Sequence, residues 1–518
     1  MLFARLRKKL SSVIHRKHHR DVETSRAREH NTIYDPMARL PFEISSYIFM
    51  HCLPRSPRPN RHEAPLIFLN VCRFWSFIAL STPSLWAAVS FPLTNPGQAK
   101  SAKKYFEIWL GRAGDHPLSL RVSSPGFLDG RVDVGLKQYA HQMQSLELSV
   151  YSRELDAITT PFPSLKKLAV SVFDSTDCIS RFIAILGGSP LLVECELRMV
   201  YLGVQSRVVP ESLTHLSLRC LRLNSRNRPT RSTVYSAQIL RHLTLPVLES
   251  LIVTIFDISA ADLHSFLARS APPLKFLDIK AWDPSWSEIC DWSHLVPSLT
   301  DLVFECWNVQ ELSLHRLCIL PNLCNLVVNS DASMLRHLTL PVLESLIITD
   351  PYIPTEEFLS FLARSSPLLR SLDIGFFPRL PDLWTSEIPV VPFLQLMASQ
   401  DLLPHLQSLT IRPIYPHRDL GKLYDDLVEL LKTRFASRQC TQLQSVSVIF
   451  KFSVWEPGRM EREETDSSES EGADSMERGG TAWEGTNFAP DDDTIAALRQ
   501  FVGAGVHIHV GPKSHNYI

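Results

Sequence analysis

Leu240-Arg241-His242-Leu243-Thr244-Leu245-Pro246-Val247-Leu248-Glu249-Ser250-Leu251-Ile252 is repeated without a change as Leu335-Arg336-His337-Leu338-Thr339-Leu340-Pro341-Val342-Leu343-Glu344-Ser345-Leu346-Ile347. A second shared phrase follows each copy, Ser265-Phe266-Leu267-Ala268-Arg269-Ser270 and Ser360-Phe361-Leu362-Ala363-Arg364-Ser365. The blocks 240–279 and 335–374 align without a gap at an offset of 95, with 26 of 40 positions identical. Each holds two Leu-x-x-Leu-x-(Leu/Ile/Val) units, Leu248-Leu251-Val253 and, at its end, Leu274-Leu277-Ile279 in the first copy. The last two apolar residues of a unit lie two apart, the period of a strand with one buried face. Between the units, Phe266, Leu267 and Ser270 have helical spacing, so each copy reads strand, helix, strand. Leu243-Thr244-Leu245-Pro246 is too short to stand apart and is read as the approach to a strand.

The same unit recurs outside the duplication, at Leu165-Leu168-Val170, Leu213-Leu216-Leu218, Leu299-Leu302-Phe304, Leu323-Leu326-Val328, Leu406-Leu409-Ile411 and Leu443-Val446-Val448, with a shorter copy at Leu146-Leu148. Successive centres are mostly 19 to 38 residues apart, which overlaps and exceeds the period of regular leucine-rich repeats. One such unit cannot bury its leucines alone, whereas a stack of them buries a continuous core. The expected fold class is therefore α/β: a short helical domain, then an irregular leucine-rich-repeat solenoid of parallel strands with helices. The array is placed at 143–455, after a connecting or capping segment at 93–142. Residues 456–489 hold Glu461, Glu463, Glu464, Asp466, Glu469, Glu471 and Asp474 among serines, and read as a solvated acidic loop. A last repeat or cap follows at 490–518. There Asp493 is expected to cap a helix carrying Ile495, Leu498 and Phe501, and Val506, Ile508 and Val510 alternate as a final strand.

Composition narrows the function classes. The chain has 518 residues, 45% hydrophobic content and a formal charge of −1. That excludes a generally basic nucleic-acid-binding surface, and no stretch is apolar enough for a membrane span. The ten cysteines include no Cys-x-x-Cys pair, so they are read as reduced thiols, with Cys195 and Cys220 as small hydrophobes. Cytoplasm or nucleus is the expected compartment. Residues 1–35 form a basic leader with Arg5, Arg7, Lys8, Lys9, Arg16, Lys17 and Arg20. A solvated tail is one reading. Leu2, Phe3, Leu6, Leu10, Val13 and Ile14 also fall at roughly helical spacing, which suits a short amphipathic helix of the membrane-surface, nuclear-import or mitochondrial kind.

Between Ala38 and Phe91 the pattern is helical. Pro41 and Glu43 suit a helix start, and Ile44, Tyr47 and Ile48 then share a face. Pro54, Pro57 and Pro59 end that helix, and a second is expected from Leu66 to Leu80, with Val71, Trp75 and Ile78 on one side. So many large apolar side chains in about 50 residues exceed what two short helices bury, which implies a partner surface. Leu40-Pro41-Phe42-Glu43-Ile44, Ile48-Phe49, Val71-Cys72-Arg73-Phe74-Trp75, Ile78-Ala79 and Pro83-Ser84-Leu85-Trp86, in that order, resemble an F-box. The Pro-rich loop and terminal Leu-Trp are similar to the F-box-like family of mushroom-forming fungi. The domain is set at 36–92. The resemblance implies an adaptor-binding set of Leu40, Pro41, Ile44, Ile48, Phe49, Val71, Cys72, Trp75, Ile78, Leu85 and Trp86. It further implies docking to a Skp-type adaptor and a cullin ubiquitin ligase, with an unknown protein substrate held on the repeats. The chain differs from the family in placing Ser76 where an Arg commonly follows the Trp. That difference favours the alternative, a scaffold or receptor outside any ligase.

No motif carries catalytic chemistry: there is no G-x-S-x-G, no Walker loop, no G-x-G-x-x-G and no H-E-x-x-H. The expectation is a non-enzyme without cofactor or metal. His507 and His509 flank Ile508 on a strand and read as polar surface. Trp282, Trp286, Trp292 and Trp307 are either core cover or a recognition patch.

Overall fold

The computed structural model describes residues 35–93, 96–124, 136–174, 179–199, 212–225, 238–254, 260–281, 294–306, 318–329, 332–349, 355–365, 367–376, 394–395, 397–398, 403–413, 420–437, 443–450, 490–512 and 516–518. The leader, the acidic loop and Trp282, Trp286, Trp292 and Trp307 lie outside them. The chain forms two compact units, Met1–Pro273 and Leu274–Ile518.

The first unit opens with helices α1 (Phe42–His51), α2 (Phe68–Val71) and α3 (Arg73–Leu80). Pro41 sits just outside α1 as its N-cap residue, and Glu43 occupies the first turn, where the helix dipole favours a negative charge. The single helix expected from Leu66 to Leu80 is instead broken at Cys72, whose backbone is extended (φ −151°, ψ 174°). The break is held by side-chain bonds: the Cys72 thiol contacts Asp35 at 3.4 Å and accepts the Trp75 backbone N–H at 3.4 Å, capping α3.

Next come β1 (Ala88–Pro92), α4 (Pro96–Ala113), β2 (Leu118–Ser124), β3 (Met143–Val150), α5 (Ser152–Asp156), β4 (Lys167–Val172), α6 (Ile179–Gly187) and β5 (Glu194–Met199). They are followed by β6 (Leu213–Thr214), β7 (Cys220–Ser225), α7 (Gln238–Arg241), β8 (Leu243–Thr244), β9 (Ser250–Thr254) and α8 (Ala260–Ser270). Strands β1, β2, β3, β4, β5, β7 and β9 form one parallel ladder in that order. Their register lines up two apolar columns, Val89–Leu120–Leu146–Leu168–Cys195–Leu221–Leu251 and Phe91–Val122–Leu148–Val170–Leu197–Leu223–Val253. Every member is buried. Cys195 therefore takes a leucine's place, and burial pushes its thiol far up, so it stays protonated and inert. Helix α6 buries Phe182, Ile183, Ile185 and Leu186.

The second unit contains β10 (Phe276–Ala281), β11 (Asp301–Cys306), β12 (Cys318–Ile319), β13 (Asn325–Val328), β14 (Leu338–Thr339), β15 (Ser345–Ile348), α9 (Thr355–Ser365) and β16 (Ser371–Phe376). It ends with β17 (Ser408–Pro413), α10 (Leu420–Ala436), β18 (Ser445–Phe450), α11 (Asp492–Gly503) and β19 (His507–Pro512). Its parallel ladder runs β10, β11, β13, β15, β16, β17, β18, β19, with columns headed by Leu277 and Ile279 and ended by Ile508 and Val510.

Four sequence expectations shift. The ladder begins at Ala88 rather than at 143, because Val89-Phe91 and Leu120-Val122 supply the same inward pair without the full leucine signature. At 213–223 the sequence allows two overlapping leucine frames, and the fold uses Leu218-Leu221-Leu223. Leu216, central in the other frame, is 71% exposed. Leu-Thr is not merely an approach: Leu213–Thr214 pairs with Leu243–Thr244, and Cys318–Ile319 with Leu338–Thr339, as minor two-residue ladders. Finally, Asp491 rather than Asp493 caps α11, its carboxylate accepting the Thr494 N–H at 2.7 Å. It is the residue with extended φ/ψ, as an N-cap requires.

β1 of the first unit and β19 of the second each take hydrogen bonds from outside their ladders. On β1, the Ser90 N–H donates to Pro57 O at 2.7 Å, and Pro92 has no N–H to offer. On β19, the Asn516 side chain accepts the Val510 N–H at 2.8 Å and donates to Ile508 O at 3.0 Å, while the Tyr517 N–H donates to Val510 O at 2.8 Å. Open edges pair with other chains, and these contacts occupy part of each.

Candidate docking surface

The helical module is organised around a cluster of rings. Phe49 stacks on Phe68 at 4.1 Å and meets Trp75 at 4.9 Å, with Phe68 and Trp75 5.9 Å apart. The Trp75 indole N–H donates to Asp35 Oδ1 at 2.9 Å, and the same oxygen accepts the Met37 N–H at 2.9 Å. Asp35 thereby ties itself and Met37 to the break at Cys72 and to α3. Ile78, Leu85 and Trp86 are fully buried. The Trp86 indole N–H donates to Ala79 O at 2.8 Å, and its ring lies against Trp109 at 5.1 Å and under the Arg112 guanidinium at 4.4 Å.

The expected adaptor-binding set thus divides. Phe49, Cys72, Ile78, Leu85 and Trp86 are buried inside the first unit, and Val71 and Trp75 are half-buried. Leu40, Pro41, Ile44 and Ile48 are exposed. The reason is helical phase. Ser45 and Phe49 point inward from α1, which leaves Ile44, Tyr47 and Ile48 on the outward face at i, i+3, i+4 spacing. Tyr47 is 64% exposed and Ile44 48% exposed. Phe42 meets Phe77 of α3 edge-on at 6.2 Å, and Phe77 itself is 59% exposed. Met50 and Leu80 add to the same surplus. Nine of the sixteen exposed large hydrophobic side chains among the described residues lie between Leu40 and Leu80. That concentration is what separates a surface patch from ordinary scatter. Phe42, Tyr47, Met50, Phe77 and Leu80 are absent from the expected set. For Tyr47 the signal was present, in its spacing between Ile44 and Ile48.

The patch is held firmly to the first ladder. Pro57 bonds β1 as above, the Arg121 Nη1 donates to Ser56 Oγ at 3.2 Å, and Phe91 of β1 meets Phe106 of α4 at 4.5 Å. Trp86, whose neighbours Trp109 and Arg112 belong to α4, belongs to both the module and the ladder's first covering helix.

The strand face opposite the apolar columns is polar. In the first unit Arg121 pairs with Glu147 at 2.6 Å and Lys167 with Glu194 at 2.9 Å. Arg198 grips Glu196 through two N–H bonds of 2.7 and 2.9 Å. Asn224 donates to the same carboxylate at 2.8 Å, and Thr254 donates to Asn224 at 2.9 Å. In the second unit Lys280 pairs with Glu305 at 2.8 Å, Asn325 donates to Asp301 at 2.6 Å, and Arg412 pairs with Asp373. Asp278 is pushed up chiefly by burial, against the pull of Lys280 and with the help of Glu305. These charges hold one another in rows across the strands, and nothing in them resembles a nucleophile with its base. Among the described residues no three His, Cys, Asp or Glu converge as a metal site. His509 Nε2 lies 3.2 Å from Pro512 O. No helix of the described residues is long and apolar enough to cross a membrane.

No family model matches the chain, and no curated protein matches it.

Proposed function

We propose that the chain is a substrate-recognition subunit of a Skp–cullin–F-box ubiquitin ligase. Its helical module is the F-box-like element that docks a Skp-type adaptor. The polar strand faces of the repeat ladders hold a target protein. The observation that carries this reading is the outward row Ile44, Tyr47 and Ile48, flanked by Leu40, Phe42 and Phe77, on a module whose own ring core is already filled. Apart from the edge contacts Phe42–Phe77 and Tyr47–His51, those side chains stand exposed outside the filled core, and a partner surface removes them from water. On this reading the chain performs no chemistry. It contributes proximity, holding the target where another subunit's reaction reaches it, in the cytoplasm or nucleus.

Co-purification with a Skp-type adaptor tests the assignment. Ile44→Asp places a charge in the centre of the patch and abolishes capture, while Ile44→Ala weakens it. Trp75→Ala is a poor probe, since it removes the indole that ties Asp35 to the ring core. Capture that survives Ile44→Asp in a folded protein overturns the proposal.

A further inference from the structure

Across the second ladder, one row of positions opposite the buried columns pairs in register as Asp278, Val303, Val327, Ile347, Asp373 and Thr410. Val303, Val327 and Ile347 therefore stand side by side on the otherwise polar face, each half-buried. The equivalent row of the first ladder runs Arg121, Glu147, Ala169, Glu196, Arg222 and Ile252, with no two apolar residues adjacent. At one end of the apolar run the charges do not cancel. The outward positions of β10 and β11 carry Asp278, Asp301 and Glu305 against Lys280. Lys280 bonds Glu305 at 2.8 Å, and Asp301 takes its bonds from the neutral Asn325 and Thr300, each at 2.6 Å. Asp278 Oδ1 is buried and accepts no hydrogen bond among the described residues. At the far end of the run Asp373 is paired with Arg412. A cation is thus drawn to the β10 end, and the apolar run sets the direction in which its chain leads.

We infer that this face binds an extended segment of a target protein, with a Lys or Arg over Asp278 and two aliphatic side chains over the Val303–Val327–Ile347 run, at alternate positions i, i+2 and i+4. Spacing supports that arrangement. From Asp278 to Ile347 three strand spacings cover about 14 Å, and an extended segment advances about 13 Å from i to i+4 with those side chains on one face. Burial pushes the Asp278 carboxyl up, against the pull of Lys280 and with the help of Glu305. A cation brought to it stabilises the charged form that burial disfavours. Aliphatic side chains laid on Val303, Val327 and Ile347 leave water, while the excess of acid repels nucleic acid and anionic lipid. The inference rests on the reading that the strand faces hold a target protein, and its test needs no adaptor.

Selection of a random peptide library, displayed in many copies on phage, against the immobilised full chain is the direct measurement. The expected clones carry Lys or Arg with Val, Ile or Leu two and four positions away on the same side. Their recovery falls by about tenfold or more on Asp278→Asn and on Val327→Lys. Asp278→Asn removes a buried charge without changing the side chain's shape, so its loss of binding does not reflect unfolding. No enrichment over the bare support, enriched clones without that pattern, or recovery unchanged on either variant of native melting behaviour overturns the inference. If the pattern is selected and a Skp-type adaptor does not bind the chain, the ligase reading fails and the target surface stands. An adaptor complex without a selected pattern leaves the ligase reading intact and overturns this inference.

Discussion

The Ala-Arg-Ser phrase shared by the two duplicated blocks has a structural use at each of its polar residues. Arg269 donates to Leu240 O at 2.6 Å and Leu243 O at 2.8 Å, and Arg364 donates to the equivalent Leu335 O at 3.0 Å and Leu338 O at 3.4 Å. The Leu245 and Leu340 N–H groups donate to Ser270 Oγ at 3.1 Å and Ser365 Oγ at 3.0 Å. The end of each covering helix thus satisfies backbone groups leading into its strand, which helical spacing alone does not reveal. Arg269→Met leaves two carbonyls without that donor and costs about 1–3 kcal/mol. Arg364→Met, with longer bonds, costs less, and urea unfolding of the two variants measures the difference. Asp278 gives a pH signature. Its folded-state carboxyl titrates above the ordinary 3.8, chiefly through burial. The folded chain therefore binds more protons than the unfolded one, and stability falls as pH rises from about that value through the raised pKa. Asp278→Asn removes this slope and raises stability at neutral pH, as thermal melts between acid and neutral pH will show.

At the scale of elements, the strands were the legible part. Wherever a Leu-x-x-Leu-x-Leu unit was unambiguous, its last two apolar residues became buried column positions, as Leu277 and Ile279 did. Legibility failed where two frames overlapped, at Leu213 to Leu223, because period alone cannot choose between equal patterns. It failed again at β1, where Val89 and Phe91 lack the leucines that advertise a repeat. The helical module was legible as helices but not as faces. The resemblance named Phe49, Cys72, Ile78, Leu85 and Trp86, all of them buried, with Phe49 stacked on Phe68 and Trp86 against Trp109. The sealed edge of β19 was invisible to sequence, because an Asn side chain standing in for a strand has no periodicity. Deleting 516–518, or substituting Asn516→Ala, frees the Ile508 carbonyl and the Val510 N–H. Concentration-dependent self-association by light scattering and faster amide exchange at Val510 are the expected outcomes.

Across the molecule, surface chemistry separates two kinds of face. One is a compact apolar patch on the helical module, fixed to the first ladder through Pro57, Trp86 and Arg121. The others are polar strand faces whose charges are paired across neighbouring strands. An apolar patch suits a stable, constant partner, and mutually paired charge rows suit recognition that depends on matching an arrangement. Titration calorimetry of the purified full chain with a Skp-type adaptor, run beside Ile44→Asp and Tyr47→Asp variants whose melting is unchanged, asks whether the apolar patch is an adaptor site. The expected outcome is a one-to-one complex for the native chain and affinity lower by about a hundredfold or more in each variant. A native chain that shows no binding heat, or folded variants that bind as the native chain does, would contradict it.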